Sequence, residues 1–593
     1  MSARRFVAIV STLTAALFVT AHLAAQTKPL GSVDELAGLW KAHRSFGPFA
    51  RGPLVIQRVG STYTADMLGR TMAVRVDAGE LSFELPGGQG GFRGKLQDGG
   101  ISGHWFPPGS PTGLSRPSPV VLRAESSGRW TGQVVPMEDA FTFYILARKR
   151  PDGSMGAFLR NPQRDVGAQW GADRLVRDGN VVKLIGKRRG QTQENEIAVG
   201  TYSAEDSILT LFIPNRGGSY DFRRDGDASD FYPRGKNPAR YVYGGAPLAR
   251  DDGWPTATLE QVGINRAAIE KMVQAIIDTP MESVHTLQVE GVLIARHGKL
   301  VLEEYFHGMN RDKLHETRSA AKSMTATLVG AAMHAGAPLK LSTPVYQIMN
   351  GGTFPADLEP QKRAMTLEHL LTMSSGYFCD DSNDAAPGNE NTMEEQTAEP
   401  DYYRFTLRLP MASAPGEKAV YCSINPNLAL GLVGRATGES PLYTFDRLIA
   451  GPMKIRHYGW PVDPVGHPYG GGGVHFLPRD FMKIGQLMLN GGKWEGRRIL
   501  DKEFVDRAST PLYKMGTMTY GLAWWSMDYP YRNRTLHAFA ALGNGGQNVV
   551  VVPDLDLVIA VYASNFFDRA MFAIQQEIIP NQILPAVTDP TGR

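Results

Sequence analysis

Residues 318–333 read Arg318-Ser319-Ala320-Ala321-Lys322-Ser323-Met324-Thr325-Ala326-Thr327-Leu328-Val329-Gly330-Ala331-Ala332-Met333. Small residues flank Ser319, and helix-friendly, apolar sequence runs from Met324 to Met333. If Ser319 opens that helix, Lys322 lies one turn on along the same face, and its amine reaches the serine hydroxyl. A serine hydroxyl is a poor nucleophile until a base takes its proton. A lysine amine is such a base only with a lowered pKa, which burial favours. The helix start also offers free backbone N–H groups to a developing oxyanion. Ser-x-x-Lys alone recurs by chance and equally describes a helix start with a solvated lysine, so the surrounding chain has to agree.

On its N-terminal side, Asn265 caps a helix whose Ala268, Ile269, Met272, Val273 and Ile276 recur at helical spacing. A hairpin follows over 292–306, turning at His297-Gly298. Toward the C-terminus, 548–553 and 557–562 read as adjacent buried strands, and a helix is expected around 569–582. Early strands, a helical middle and late strands predict an α+β domain over 257–593, its antiparallel sheet assembled from both ends and flanked by helices.

Residues 30–245 read differently. Gly-x-Trp occurs at 38–40, 103–105 and 128–130, and Asp-Gly pairs fall at 98–99, 152–153, 178–179 and 225–226, where hairpin turns want them. With no long helical pattern between, the expectation is an all-β region, one or two small barrels or sandwiches. Breaker-rich sequence over 246–256 marks a linker. The first 25 residues, with Arg4 and Arg5, an apolar run to Phe18 and Ala24-Ala25 before Gln26, read as an export signal, so a periplasmic or secreted protein without a further membrane span is expected.

The 593 residues carry a net charge of +3, and removing the signal leaves +1. That balance argues against a nucleic-acid partner held by general attraction. Cys379 and Cys422 are too few and too far apart for a zinc motif, but in an oxidising compartment they can form one disulfide. Gly543-Asn-Gly-Gly-Gln547 lacks the Gly-Lys-Ser/Thr ending of a phosphate loop and precedes a strand. No cofactor and no metal are expected.

The order of motifs from 264 to 584 resembles the serine β-lactamase and penicillin-binding-protein superfamily, in its class C-like branch of esterases, D-aminopeptidases and nylon-oligomer hydrolases. Ser319-Ala-Ala-Lys322 looks like the first motif. Met365-Thr-Leu-Glu-His-Leu-Leu-Thr-Met-Ser-Ser-Gly376, Ala414-Pro-Gly-Glu-Lys-Ala-Val-Tyr421-Cys-Ser423, Gly470-Gly-Gly-Gly473 and Gly543-Asn-Gly-Gly-Gln547 are similar to later ones. The resemblance implies that Ser319 is acylated, that Lys322 holds or relays its proton, and that Tyr421 lies near both; which of Lys322 and Tyr421 is the base stays open.

Two departures matter. The family's Tyr-x-Asn is here Tyr421-Cys422-Ser423, leaving Ser423 or Asn425 as substrate donors. The Lys-Thr-Gly strand motif is absent; its place falls near His537, a substrate contact or an ordinary strand histidine. Both departures point away from a dedicated β-lactamase. The strand around 540–543 is expected to offer one backbone N–H to the oxyanion hole alongside that of Ser319, and Gly543 and Gln547 are expected substrate contacts. A Cys379–Cys422 disulfide would tie the acidic loop 379–400 to the catalytic wall, where its carboxylates either favour cationic substrates or are simply solvated. The expected activity is hydrolysis of a small-molecule ester, linear amide or peptide through a Ser319 acyl-enzyme. The alternatives are a β-lactamase or D-stereospecific peptidase on wall-like peptides, and a non-catalytic binding protein on the same fold.

Overall fold

The computed structural model describes residues 32–47, 50–109, 113–188 and 190–588; the expected export signal lies outside them. The N-terminal region is two closed eight-stranded antiparallel barrels, one inserted in the other. The strand Gly38–Gly47 belongs to the second barrel, whose other seven strands run from Asp139 to Arg224; the first barrel, from Gly52 to Val134, is spliced between them. The splice is local. Gly47 pairs directly with Asp139, so the chain leaves and re-enters at one point.

The Gly-x-Trp triplets supply cores. Trp40 fills the second barrel, and Trp105 and Trp130 fill the first. Eight strands leave an interior that side chains can fill. Gly99, Gly153 and Gly179 take positive φ in three of the hairpins that the Asp-Gly pairs mark. The fourth pair, Asp225-Gly226, makes no hairpin; the chain leaves the barrel there.

The domain that follows is built on an eight-stranded antiparallel sheet. Its order is Lys299–Tyr305, Val289–Arg296, Leu557–Ala563, Gln547–Val552, Arg534–Gly543, Trp525–Tyr531, Met518–Tyr520, Tyr513–Met515. Early and late strands meet between its second and third members, where Leu293 pairs with Ala560. Alternation at period two buries both faces. Val549, Val551, Val558 and Ala560 pack toward the large helical core, while Val550, Val552, Ile559 and Val561 pack toward the helix Arg266–Ile277 and the C-terminal turns. Asn265 caps that helix, accepting from Ala268 N at 2.9 Å. The closing segment Ile574–Ile583 is a wide π-helix rather than an α-helix, and Pro580 within it removes an N–H from the ladder.

Segment 246–256 is strapped down: the Trp254 indole donates to Arg479 O at 3.1 Å. Outward-facing Leu39, Tyr144, Leu146 and Phe158 of the second barrel pack on Phe231 and Met281. No described helix is long and apolar enough to cross a membrane.

Candidate active site

Ser319 sits in one 3₁₀ turn, Arg318–Ala320, that runs directly into the helix Ala321–His334. Arg318, just before it, is held at φ +48°, a left-handed conformation uncommon for any residue with a side chain. The constraint is visible: Thr317 N donates to Val474 O at 2.9 Å and Gly473 N to Arg318 O at 3.3 Å. From the other side the end of strand Arg534–Gly543 presses in. A Cβ at Gly543 would lie 2.4 Å from Thr317 O and 3.0 Å from Ala320 N, so only glycine lets the strand approach.

Lys322 is one turn on and fully buried. Its Nζ donates to Ser319 Oγ at 2.9 Å and also to the carbonyl of Gly471. Residues 470–473 pass close to the nucleophile turn, and a side chain at Gly471 would strike Tyr469 and Ser423 O. The centroid of the Tyr421 ring lies 5.1 Å from Nζ. That ring stacks on Trp525 at 5.7 Å and meets Tyr520 edge-on at 6.3 Å. The structure therefore brings Ser319, Lys322 and Tyr421 together.

The direction of the Lys322 pKa is opposite to the sequence expectation. Burial lowers it, but Tyr421, Glu390 and Asp381 outweigh burial, and the net shift is upward. Tyr421 is the first cause and the acidic loop the second, and part of that loop is not solvated. Asp381 is half-buried; it accepts from Ser423 N at 2.8 Å and Ser423 Oγ at 2.6 Å. Burial, then the charge of Glu390, pushes its pKa up to about 6. Desolvation of its carboxyl, then the charge of Glu390, pushes Glu394 up to about 7. The Tyr469 hydroxyl donates to Glu390. Cys379 and Cys422 are bonded, with Cα atoms 5.8 Å apart, which fixes the start of this loop beside Tyr421. Asp381 N donates to Tyr421 O at 3.1 Å.

The remaining expected contacts fall elsewhere. The Ser423 hydroxyl is taken by Asp381 rather than offered to Lys322. Asn425 is wholly buried in the helix Ile424–Thr437. Gln547 is also buried; its Oε1 accepts from His315 at 2.6 Å and its Nε2 donates to Ala563 O at 2.6 Å, a structural role. His537 stands six residues before Gly543, about 20 Å along an extended strand. It is exposed there and pairs with Asp528 at 3.0 Å. The pattern count that placed it at the site fails because β-strand reach, not residue order, sets that distance. Trp525 and Glu316 went unread, because each is brought in by contacts across a hundred residues or more; Asp381 and Gly471 were read only as parts of the acidic loop 379–400 and of the run Gly470–Gly473, without their contacts to Ser423 and Lys322.

A family model described as Beta-lactamase matches residues 273–577. The chain is 24% identical over 372 residues to the 6-aminohexanoate-dimer hydrolase of Paenarthrobacter ureafaciens, spanning 56% of this chain and 92% of that protein. Two solved structures are similar. One is provisionally named a 6-aminohexanoate-dimer hydrolase, from Bacillus anthracis (18% identity, TM-score 0.42, 58% of this chain and 87% of that one). The other is provisionally named a beta-lactamase, from Bacteroides dorei (16%, TM-score 0.43, 54% and 99%).

Proposed function

The chain belongs to the beta-lactamase family and is a hydrolase of that fold, and from this premise we propose that it cleaves an ester or a linear amide through an acyl-enzyme on Ser319. The observation that carries the reading is the 2.9 Å contact between Lys322 Nζ and Ser319 Oγ, with Tyr421 against the same ammonium.

Lys322 acts as the charged member of the set. With its pKa raised by Tyr421, Glu390 and Asp381 against burial, it donates to Ser319 Oγ and leaves Tyr421 to receive the serine proton. Tyr421 takes that proton as a phenolate and becomes the neutral phenol; the ammonium stabilises the phenolate before the transfer and the serine oxygen as it loses its proton. Ser319 Oγ then bonds to the substrate carbonyl carbon, and the oxyanion forms beside the Ser319 N–H and the strand end 541–543. That strand end runs past Ala540, the last residue paired with Trp525, so its cleft edge is unpaired by any described strand. Tyr421 returns the proton to the leaving alcohol or amine. Water repeats the sequence on the acyl-enzyme, releasing the acid and restoring the serine.

Two carboxylates acting on Lys322, Glu390 and Asp381, and a Ser423 hydroxyl already held by Asp381, disfavour a β-lactam carboxylate and favour a neutral or cationic acyl donor. The Cys379–Cys422 bond and the signal-like residues 1–25 support export to the periplasm or medium. A fluorophosphonate probe tests the reading. It should label the wild-type protein and fail on Ser319→Ala; labelling that persists in the variant refutes the assignment. Penicillin in the same assay should not acylate Ser319.

A further inference from the structure

Two arginines of the second barrel reach the catalytic machinery through buried polar chains. Both stand where the strand Met155–Arg160 ends, four residues apart. Arg164 Nη1 donates to Glu316 Oε2 at 2.5 Å, and Glu316 Oε1 lies 3.3 Å from Arg318 Nε. Arg318 is the left-handed residue that precedes Ser319, its guanidinium 4.7 Å from the Phe566 ring. Arg160 takes the other route. Its Nη2 is 3.3 Å from Glu290 Oε1, and Glu290 Oε2 is 3.3 Å from His315 Nδ1. His315 Nε2 meets Gln547 Oε1 at 2.6 Å. Gln547 pairs with Gly543, the residue pressed on Thr317 and Ala320.

The chains converge on one dipeptide. His315 and Glu316 are successive residues of a two-residue strand, so their side chains leave from opposite faces, and each takes one arginine-led chain. Arg160, Glu290, His315 and Glu316 are all buried. Burying this many charges is costly unless each is paired, so the set has few alternative arrangements. Glu316 shows the strength of the pairing: burial raises its pKa, yet Arg164, Arg318, His475 and Arg116 outweigh that and hold it well below the usual carboxylate range.

We infer that the second barrel is a working part of the hydrolase, with Arg164 and Arg160 as positioning residues: Arg164 fixes the turn that aims Ser319, and Arg160 fixes the hairpin that carries the oxyanion strand. Neither touches substrate. The inference rests on the hydrolase reading above. A site held to within a fraction of an ångström needs a rigid support, and misplacement by about 1 Å costs up to about 100-fold in rate.

The test measures the rate of fluorophosphonate labelling at Ser319, together with kcat and KM on an ester that the wild type turns over. Arg164→Gln should slow labelling and kcat by about 10- to 100-fold while KM stays within about threefold, because the substrate contacts remain. Glu316→Gln should give the same loss, and the double variant no greater loss than either single, since both break one chain. Arg164→Lys, which keeps the charge, should recover part of the rate, and Glu316→Gln serves alone if Arg164→Gln does not fold. Arg150→Ala removes an exposed ion pair with Asp173 on the same barrel and should leave the rate unchanged. A folded Arg164→Gln, or a folded Glu316→Gln in its place, that labels at the wild-type rate overturns the inference, as do losses in Arg164→Gln and Glu316→Gln that simply add. A wild-type protein that no probe labels at Ser319 overturns the hydrolase reading itself, and the inference with it.

Discussion

Lys322 donates to the Ser319 hydroxyl at 2.9 Å while a second of its protons goes to the carbonyl of Gly471. An amine held by two acceptors and surrounded by Tyr421, Glu390 and Asp381 keeps its charge despite complete burial. On the proposed mechanism, its worth to the reaction lies in that charge and its position rather than in taking a proton from the resting serine.

Lys322→Met should therefore abolish most turnover, lowering kcat by roughly 10²- to 10⁴-fold. Lys322→Arg should not restore it, because a planar guanidinium cannot bridge the same two acceptors in the space of an ammonium. Steady-state kinetics checks both; an active Lys322→Arg contradicts the point-charge role.

Gly543→Ala should separate the oxyanion strand from the serine turn. The added Cβ would sit 2.4 Å from Thr317 O, backbone that cannot swing aside. Overpacking of this kind costs about 1–3 kcal/mol in stability. The loss in labelling rate should be larger than the fall in unfolding midpoint suggests, and an unimpaired rate would show that the strand end is not part of the site.

Asp381 gives a pH signature. Its folded pKa is raised from the ordinary 3.8 to about 6, first by burial and then by Glu390. Between those values the folded protein holds a proton that the unfolded chain releases, so this group's contribution falls as pH rises. Unfolding midpoints of wild type and Asp381→Asn should diverge across that window, the wild type losing ground as pH increases and the gap levelling above about 6. A gap that closes with rising pH contradicts the assigned direction.

Reduction of the Cys379–Cys422 bond opens a loop closed across 43 residues. Chain entropy assigns such a closure about 4 kcal/mol. Denaturant titration with and without reductant should show a loss of that order. Labelling of Ser319 should slow as well, since the bond fixes Asp381 and Tyr421 on one wall. An unchanged midpoint and rate under full reduction would falsify both roles.

The β-rich region and the α+β domain were both legible in advance, because hydrophobic alternation and turn residues are local signals. Trp40, Trp105 and Trp130 fill barrel cores, and Asn265 caps its helix. His537, Gln547 and Asn425 misled, because positions counted along a chain do not say which side of a strand or helix meets the cleft.

What the sequence by itself determined is the Ser319–Lys322 pair and the kinship of residues 273–577, since one helical turn brings the pair together whatever surrounds it. Tertiary structure alone decided the rest. It spliced one barrel into another at Gly47 and Asp139, set carboxylates from a disulfide-bound loop against Lys322, and led Arg160 and Arg164 to the dipeptide His315-Glu316. Those contacts join residues tens to hundreds of positions apart. Their energies depend on burial and partner geometry, which no local pattern of side chains encodes.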